Sequence, residues 1–179
     1  LVRMVENLLS ITRIDNGNVQ LNKQDTVLEE LVDAVMVKFH KRYPENKVHI
    51  QIPEEFVSIP MDAMLIQQVL MNLLENAVIH GKGMENIWLS VSVTQNKADF
   101  SVVDDGCGIA PERIPTLFQG NQRADSRPDS SRSNMGIGLS VCAAIVKAHG
   151  GTIRAENRSD GGAAFFFTLE MEDIQDGKQ

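Results

Sequence analysis

Apolar residues recur along this chain with two different periods, and the changes of period divide it into elements. Residues 1–16, LVRMVENLLSITRIDN, place Leu1, Val5, Leu8, Leu9 and Thr12 at helical spacing, with Gly17 as a natural C-terminal stop. So short a helix is marginal alone, so its apolar stripe needs a partner. NVQLNKQ (18–24) alternates and predicts a short strand, and TVLE (26–29) has capping-box spacing that opens a helix to about Arg42. Val48, Ile50 and Ile52 mark a strand, and Val57 and Ile59 a second extended piece. Asp62 is placed to cap a helix that ends near Gly81.

Two alternating β-rich runs follow, NIWLSVSVTQ (86–95) and ADFSVVDDG (98–106), and the polar QNK between them predicts a hairpin. Residues 110–135 change character: Pro111, Pro115 and Pro128 punctuate a stretch rich in Ser, Arg and Asp. A long irregular segment of this kind inside a domain is usually functional or disordered. GLSVCAAIVKAH (138–149) predicts a helix stopped by Gly150 and Gly151. Two last strands, 152–157 and 163–169, flank the turn RSDGG, and the tail EDIQDGKQ reads as solvated. The order is not a strict alternation of strand and crossover helix, and no GxGxxG turn follows the first strand. That argues against a dinucleotide-binding fold. The pattern predicts an α/β (α+β) two-layer sandwich, a mixed sheet with helices on one face.

Length and composition narrow the classes. The 179 residues suffice for one domain with a core plus a short appendage. Acids outnumber bases 24 to 17, a net charge of −7, which argues against bulk attraction to nucleic acid or anionic lipid. Cys107 and Cys142 form no CxxC and read as free thiols of a reducing compartment. No run approaches a membrane span of roughly 18 apolar residues. Leu1 lies inside a helical pattern, so a longer parent chain is expected.

Chemistry concentrates in three places. On the helix ending at Gly81, Gln68, Asn72, Asn76 and His80 form a polar stripe opposite Ile66, Val69, Leu70, Leu73 and Ala77. One Asn would be an ordinary exposed residue. Two amides at i, i+4 beside apolar neighbours also suit Mg²⁺, which takes hard oxygen donors and shares phosphate oxygens. The strand end VVDDGCGI (102–109) is a plain β-turn by local chemistry. Its carboxylate could equally accept from an exocyclic amine, while its glycines let backbone lie against a planar ring. NMGIGLSVC (134–142) opens a helix with Gly136 and Gly138, a common helix start that also serves as a phosphate cradle.

In this order, the three segments resemble the Bergerat ATP-binding fold of histidine kinases, type II topoisomerases and one class of heat-shock chaperones. More narrowly, the chain is similar to the C-terminal catalytic domain of bacterial sensor histidine kinases. NLLENAVIHG matches their N box, DDGCGI their first glycine box, LFQGNQR (117–123) an F box, and MGIGLSVC their second glycine box. LVRMVENLLSITRIDNG, QVLMNLLENAV and ENRSDGGAAFFFTL are similar to the potassium-responsive KdpD group.

The resemblance implies a catalytic ATP-binding domain over 18–172, a lid over 110–135, a tail from 173, and the end of a second dimerisation helix over 1–17. It assigns the metal, Mg²⁺, to Asn76, the phosphate end and assistance in catalysis to Asn72, and a place near the triphosphate to His80. Asp104 is assigned the adenine amine, with Asp105 and Gly106 shaping the ring slot and Gly108 opening the lid. Ile109, Phe118 and Leu139 join the nucleotide site, Gly136 and Gly138 receive phosphates, and Arg123 supplies a catalytic cation.

Departures accompany the match. Hydrolysing relatives carry a Glu four residues before the metal-binding Asn; here that position is Asn72. Glu75, about 100° round the helix from Asn76, points elsewhere, so a kinase is favoured over an ATPase. Ile79 stands where many sensor kinases carry Lys or Arg, leaving Lys82, Arg123, Arg127 or Arg132 to compensate. Asn121 replaces a second F-box aromatic, leaving Phe118 as the only anchor of that end of the lid, and Asn134 replaces a glycine.

None of His40, His49, His80 and His149 has the context of a phospho-acceptor. His149 reads as a helix-end residue favoured by the dipole. The expectation is a domain that binds Mg·ATP and passes the γ-phosphoryl to a His on its own upstream dimerisation domain. That His in turn serves a response regulator. The parent would be a homodimeric, membrane-anchored sensor with this part cytosolic, touching neither nucleic acid nor membrane. The competing expectation is a degenerate nucleotide-binding scaffold.

Overall fold

The structure is a computed structural model that describes residues 21–119 and 130–171, the helical stretch 130–137 by its backbone alone. The helix expected over 1–16, Asn121, Arg123, Arg127 and the tail lie outside the described residues, as do the side chains of Arg132 and Asn134.

Strand β1 (Gln24–Val27) leads into α1 (Leu28–Arg42), then β2 (Lys47–Gln51) and β3 (Ser58–Met61). Helix α2 (Ala63–His80) precedes the hairpin β4 (Asn86–Val93) and β5 (Lys97–Asp104). A 3-10 helix at Pro111–Thr116, α3 (Ser130–Ala148), β6 (Ile153–Asn157) and β7 (Ala163–Glu170) complete the elements of the described residues. Strands β1 and β3 pair as a small antiparallel sheet, and the other five form one sheet in the order β2-β4-β5-β7-β6. Only β2 and β4 run parallel there, which makes the sheet mixed as expected.

Alternation decides which face meets the helices. Ile87, Leu89 and Val91 of β4, Phe100 and Val102 of β5, and Phe165, Phe167 and Leu169 of β7 are buried in one core with α1, α2 and α3. Phe100 and Phe167 are register partners whose rings stack at 4.6 Å. Their burial contributes on the order of 1.5–3 kcal/mol each. Helix α2 packs against both α1 and α3 and against β5, so the helix with the amide stripe lies at the centre of the helical layer.

Four local expectations give way to tertiary contacts. Among the described residues the first strand is Gln24–Val27, which meets the expected 18–24 at Gln24, and no capping box forms at Thr26, whose hydroxyl donates to Gln24 O (3.0 Å). Thr26 instead pairs with Ile59, and the first helical N–H, that of Leu28, finds its acceptor at Val57 O (2.9 Å). Helix α3 begins at Ser130, not Gly138. His149 is 3% exposed, and burial, with Lys23 adding to it, holds its ring below the ordinary value against the Ile145 carbonyl and Asp62. It is therefore a neutral bridge rather than a charge at a helix end. The expected caps of α2 do form: Asp62 accepts from Leu65 N (3.4 Å), and Gly81 N donates to Ala77 O (2.9 Å).

Candidate functional site

The amide stripe of α2 faces inward. Asn72 is 4% and Asn76 6% exposed, while Gln68 and His80 at its ends are half-buried. Asn is a poor residue for a helix interior, so its burial calls for a partner. Asn72 has one: its Nδ2 donates to Gly138 O (3.4 Å), joining α2 to α3. Asn76 has no hydrogen bond to its side chain among the described residues. A buried amide left in this way is costly and uncommon, and a ligand is one explanation for it.

The end of α2 meets the end of β5. A Cβ on Gly106 would lie 2.7 Å from Gly81 Cα, so only glycine permits this approach, and the Cys107 thiol reaches His80 O (3.4 Å). Asp104, 4% exposed, accepts from Gly106 N (2.9 Å). Burial pushes its carboxyl above the ordinary value; hydrogen bonds from the Gly106 and Ala163 backbones oppose this, Asp105 adds to it, and the Arg158 charge opposes it. The adjacent Asp105 behaves oppositely. Slight desolvation is outweighed by hydrogen bonds from Asn86, backbone and side chain, and from Glu85 N, which hold it below the carboxylate range.

Gly108 adopts φ +77°, and the following Ile109, 8% exposed, is held by Asn157 through both backbone groups at 2.7 Å each. Phe118 packs edge-on against Phe165 (6.3 Å). It is not the only anchor there, because its neighbour Leu117 is 6% exposed and joins the core.

Gly136 and Gly138 lie inside α3, so their N–H groups are not among the free ones at its start, contrary to the expected cradle. Each glycine costs the helix about 1 kcal/mol. Extending a helix already docked by buried Leu139, Val141 and Cys142 needs no new nucleus, and that offsets the loss. Ile79, where a cation is common, is 42% exposed.

Several residues escaped sequence reasoning. Glu75 does point away from the stripe, but it is 1% exposed and pairs with Arg42 of α1 at 2.7 Å. Asn157 at the end of β6 and Arg158 and Gly162 of the turn that follows it pack against the Asp104–Ile109 loop. Local sequence signals only a turn there.

Comparison with known proteins bears on the fold and the family. Residues 61–173 match the family described as "Histidine kinase-, DNA gyrase B-, and HSP90-like ATPase". The sensor protein KdpD of Clostridium acetobutylicum is 36% identical over 96% of this chain, which spans 19% of that relative's length. The adaptive-response sensory kinase SasA of Synechococcus elongatus is 31% identical over 94% of the chain and 44% of its own length. The Acinetobacter baumannii histidine kinase AdeS superposes with a TM-score of 0.74 at 25% identity, covering 94% of this chain and 77% of its own. The catalytic domain of histidine kinase ThkA has a TM-score of 0.69 at 28% identity, over 84% of this chain and 96% of its own. Among the described residues no helix is long and apolar enough to cross a membrane. With the family profile spanning both the amide helix and the two glycine segments, the chain belongs to the histidine kinase-, DNA gyrase B- and HSP90-like ATPase family.

Proposed function

We propose that this domain binds Mg·ATP and serves as the catalytic half of a sensor kinase. It would donate the γ-phosphoryl to a His on an upstream dimerisation domain, from which a response regulator is served. The observation that carries the reading is the buried amide of Asn76, without a side-chain hydrogen bond among the described residues and one turn from the end of an α2 that abuts the Asp104 loop. Asp104 accepts the adenine amine, and Gly106, Gly108 and Ile109 form the slot beside it. Asn76 offers its amide oxygen to the metal.

Among the described residues no cluster of His, Cys, Asp and Glu could hold a metal unaided, so phosphate oxygens and water must complete its shell. When bound, Mg²⁺ neutralises charge on the phosphates. Asn72 and His80 line the phosphate end, and Arg123 supplies a cation to the transferring group. Phe118 and Leu139 close the apolar margins. Gly136 and Gly138 become phosphate donors only if the first turns of α3 unwind around the nucleotide. Glu75 is committed to Arg42 and is not free to activate water.

The test is acid-labile, base-stable labelling of the full-length protein with γ-labelled ATP. The reading predicts label on His that vanishes in Asn76→Ala. Steady phosphate release without labelled His would assign the site to hydrolysis instead.

A further inference from the structure

Two consecutive side chains, where β6 ends and its turn to β7 begins, hold the nucleotide loop from the far end of the sequence. Asn157 Oδ1 accepts from Ile109 N and its Nδ2 donates to Ile109 O, both at 2.7 Å, so one amide closes a two-bond clamp. A Cβ on Gly108 would lie 2.8 Å from Asn157 Oδ1, so the clamp leaves no room for a side chain at this position, whose φ is +77°. Arg158 Nη1 donates to Asp104 O (3.4 Å), while its Nη2 pairs with Asp160 (2.7 Å) and its Cζ lies 5.4 Å from the Trp88 ring centroid. The turn folds tightly beneath the strand end, where a Cβ on Gly162 would strike Asp104 O.

We propose that the β6–β7 turn positions the purine-recognising loop, with Asn157 fixing Gly108–Ile109 and Arg158 fixing Asp104. Both are positioning residues that act through the loop. The proposal rests on the reading of Asp104 as the adenine acceptor. A D-D-G-C-G loop has many conformations to lose, and hydrogen bonds that order it beforehand lower the entropy lost on binding. The charged groups around Asp104 are Asp105 beside it and Arg158 with its partner Asp160. A carboxylate offers acceptors only, whereas a carboxylic acid carries a proton on one oxygen. By opposing the effect of burial, the Arg158 charge keeps Asp104 in the accepting form over a wider pH range.

The test is calorimetric titration of the chain with a non-hydrolysable ATP analogue from about pH 8 to about pH 5. Asn157→Ala and Arg158→Gln are expected to bind about tenfold more weakly, the equivalent of one lost hydrogen bond. In Arg158→Gln the acid-side loss of affinity should begin at higher pH than in the unchanged protein, and Arg158→Lys should restore the profile. Asn157→Asp keeps the acceptor for Ile109 N but turns a second acceptor toward Ile109 O, so it should weaken binding at least as much as the alanine variant, and it serves if that variant does not fold. Unchanged affinity and pH profile in Asn157→Asp and Arg158→Gln, with binding lost in Asp104→Asn, would overturn the role of the turn alone. Intact binding in Asp104→Asn would overturn the adenine assignment and the proposal with it.

Discussion

Replacing His149 by leucine should destabilise the fold above neutral pH and remove one component of its acid sensitivity. The imidazole joins the end of α3 to the N-cap of α2: Nδ1 lies 2.8 Å from Ile145 O and Nε2 3.1 Å from Asp62 N. The Asp62 N–H can only donate, so Nε2 carries the lone pair and Nδ1 the proton. Leucine retains much of the volume but leaves a buried N–H without an acceptor, at a cost of about 1–3 kcal/mol. At about 2 kcal/mol the midpoint of melting falls by roughly 4–8 °C for a domain of this size.

Protonating the ring does the same damage, because two N–H groups then face each other. Burial, first among the influences, and Lys23 depress the folded-state value below 6.5, against Ile145 and Asp62. The unfolded chain thus binds this proton more readily. The contribution is fully present above about pH 6.5 and is lost as pH falls from there through the lower folded value. Urea unfolding from about pH 8 to about pH 5, compared between the two proteins, isolates it, since His40, His49 and His80 are common to both. The difference in stability should shrink on acidification. A constant difference across that range would refute the neutral-bridge assignment.

Three further outcomes follow from named contacts. Arg42→Ala should lower stability by about 3 kcal/mol, and Glu75→Gln by less, because only the first leaves a carboxylate of 2% side-chain exposure without that guanidinium; urea unfolding of both variants checks the order. Gly162→Ala must accommodate both a φ of +95° and a methyl against Asp104 O, so melting temperature and affinity for an ATP analogue should fall together. Ile79→Lys, at a 42% exposed position beside His80, should strengthen binding of the triphosphate several-fold at low salt, and titration at high salt should diminish the gain.

Elements with their signals inside them were legible in the sequence. Asp62 and Gly81 bound α2 as expected, the loop around Gln95 joins β4 to β5, and Gly161 and Gly162 close the β6–β7 turn. Periodicity alone set Asn72 and Asn76 opposite the buried Leu73 and Ala77; only the resemblance turned that stripe toward a ligand, and both amides prove buried. What escaped depends on partners distant in sequence. Glu75 meets Arg42 across 33 residues, Ile109 meets Asn157 across 48, and Asp62 meets His149 across 87. Periodicity reports which side of an element is buried, not which polar group waits there. The start of α3 failed for a related reason: Gly136 and Gly138 favour an end locally, while docking of Leu139 and Val141 favours continuation.

The most direct measurement is calorimetric titration of this chain with a non-hydrolysable ATP analogue, with and without Mg²⁺, alongside Asn76→Ala and Asp104→Ala. The account predicts saturable binding that Mg²⁺ strengthens, loss of that strengthening in Asn76→Ala, and loss of binding in Asp104→Ala. A cooperatively folded protein that binds no nucleotide, or in which Asn76→Ala leaves the Mg²⁺ effect intact, would contradict it.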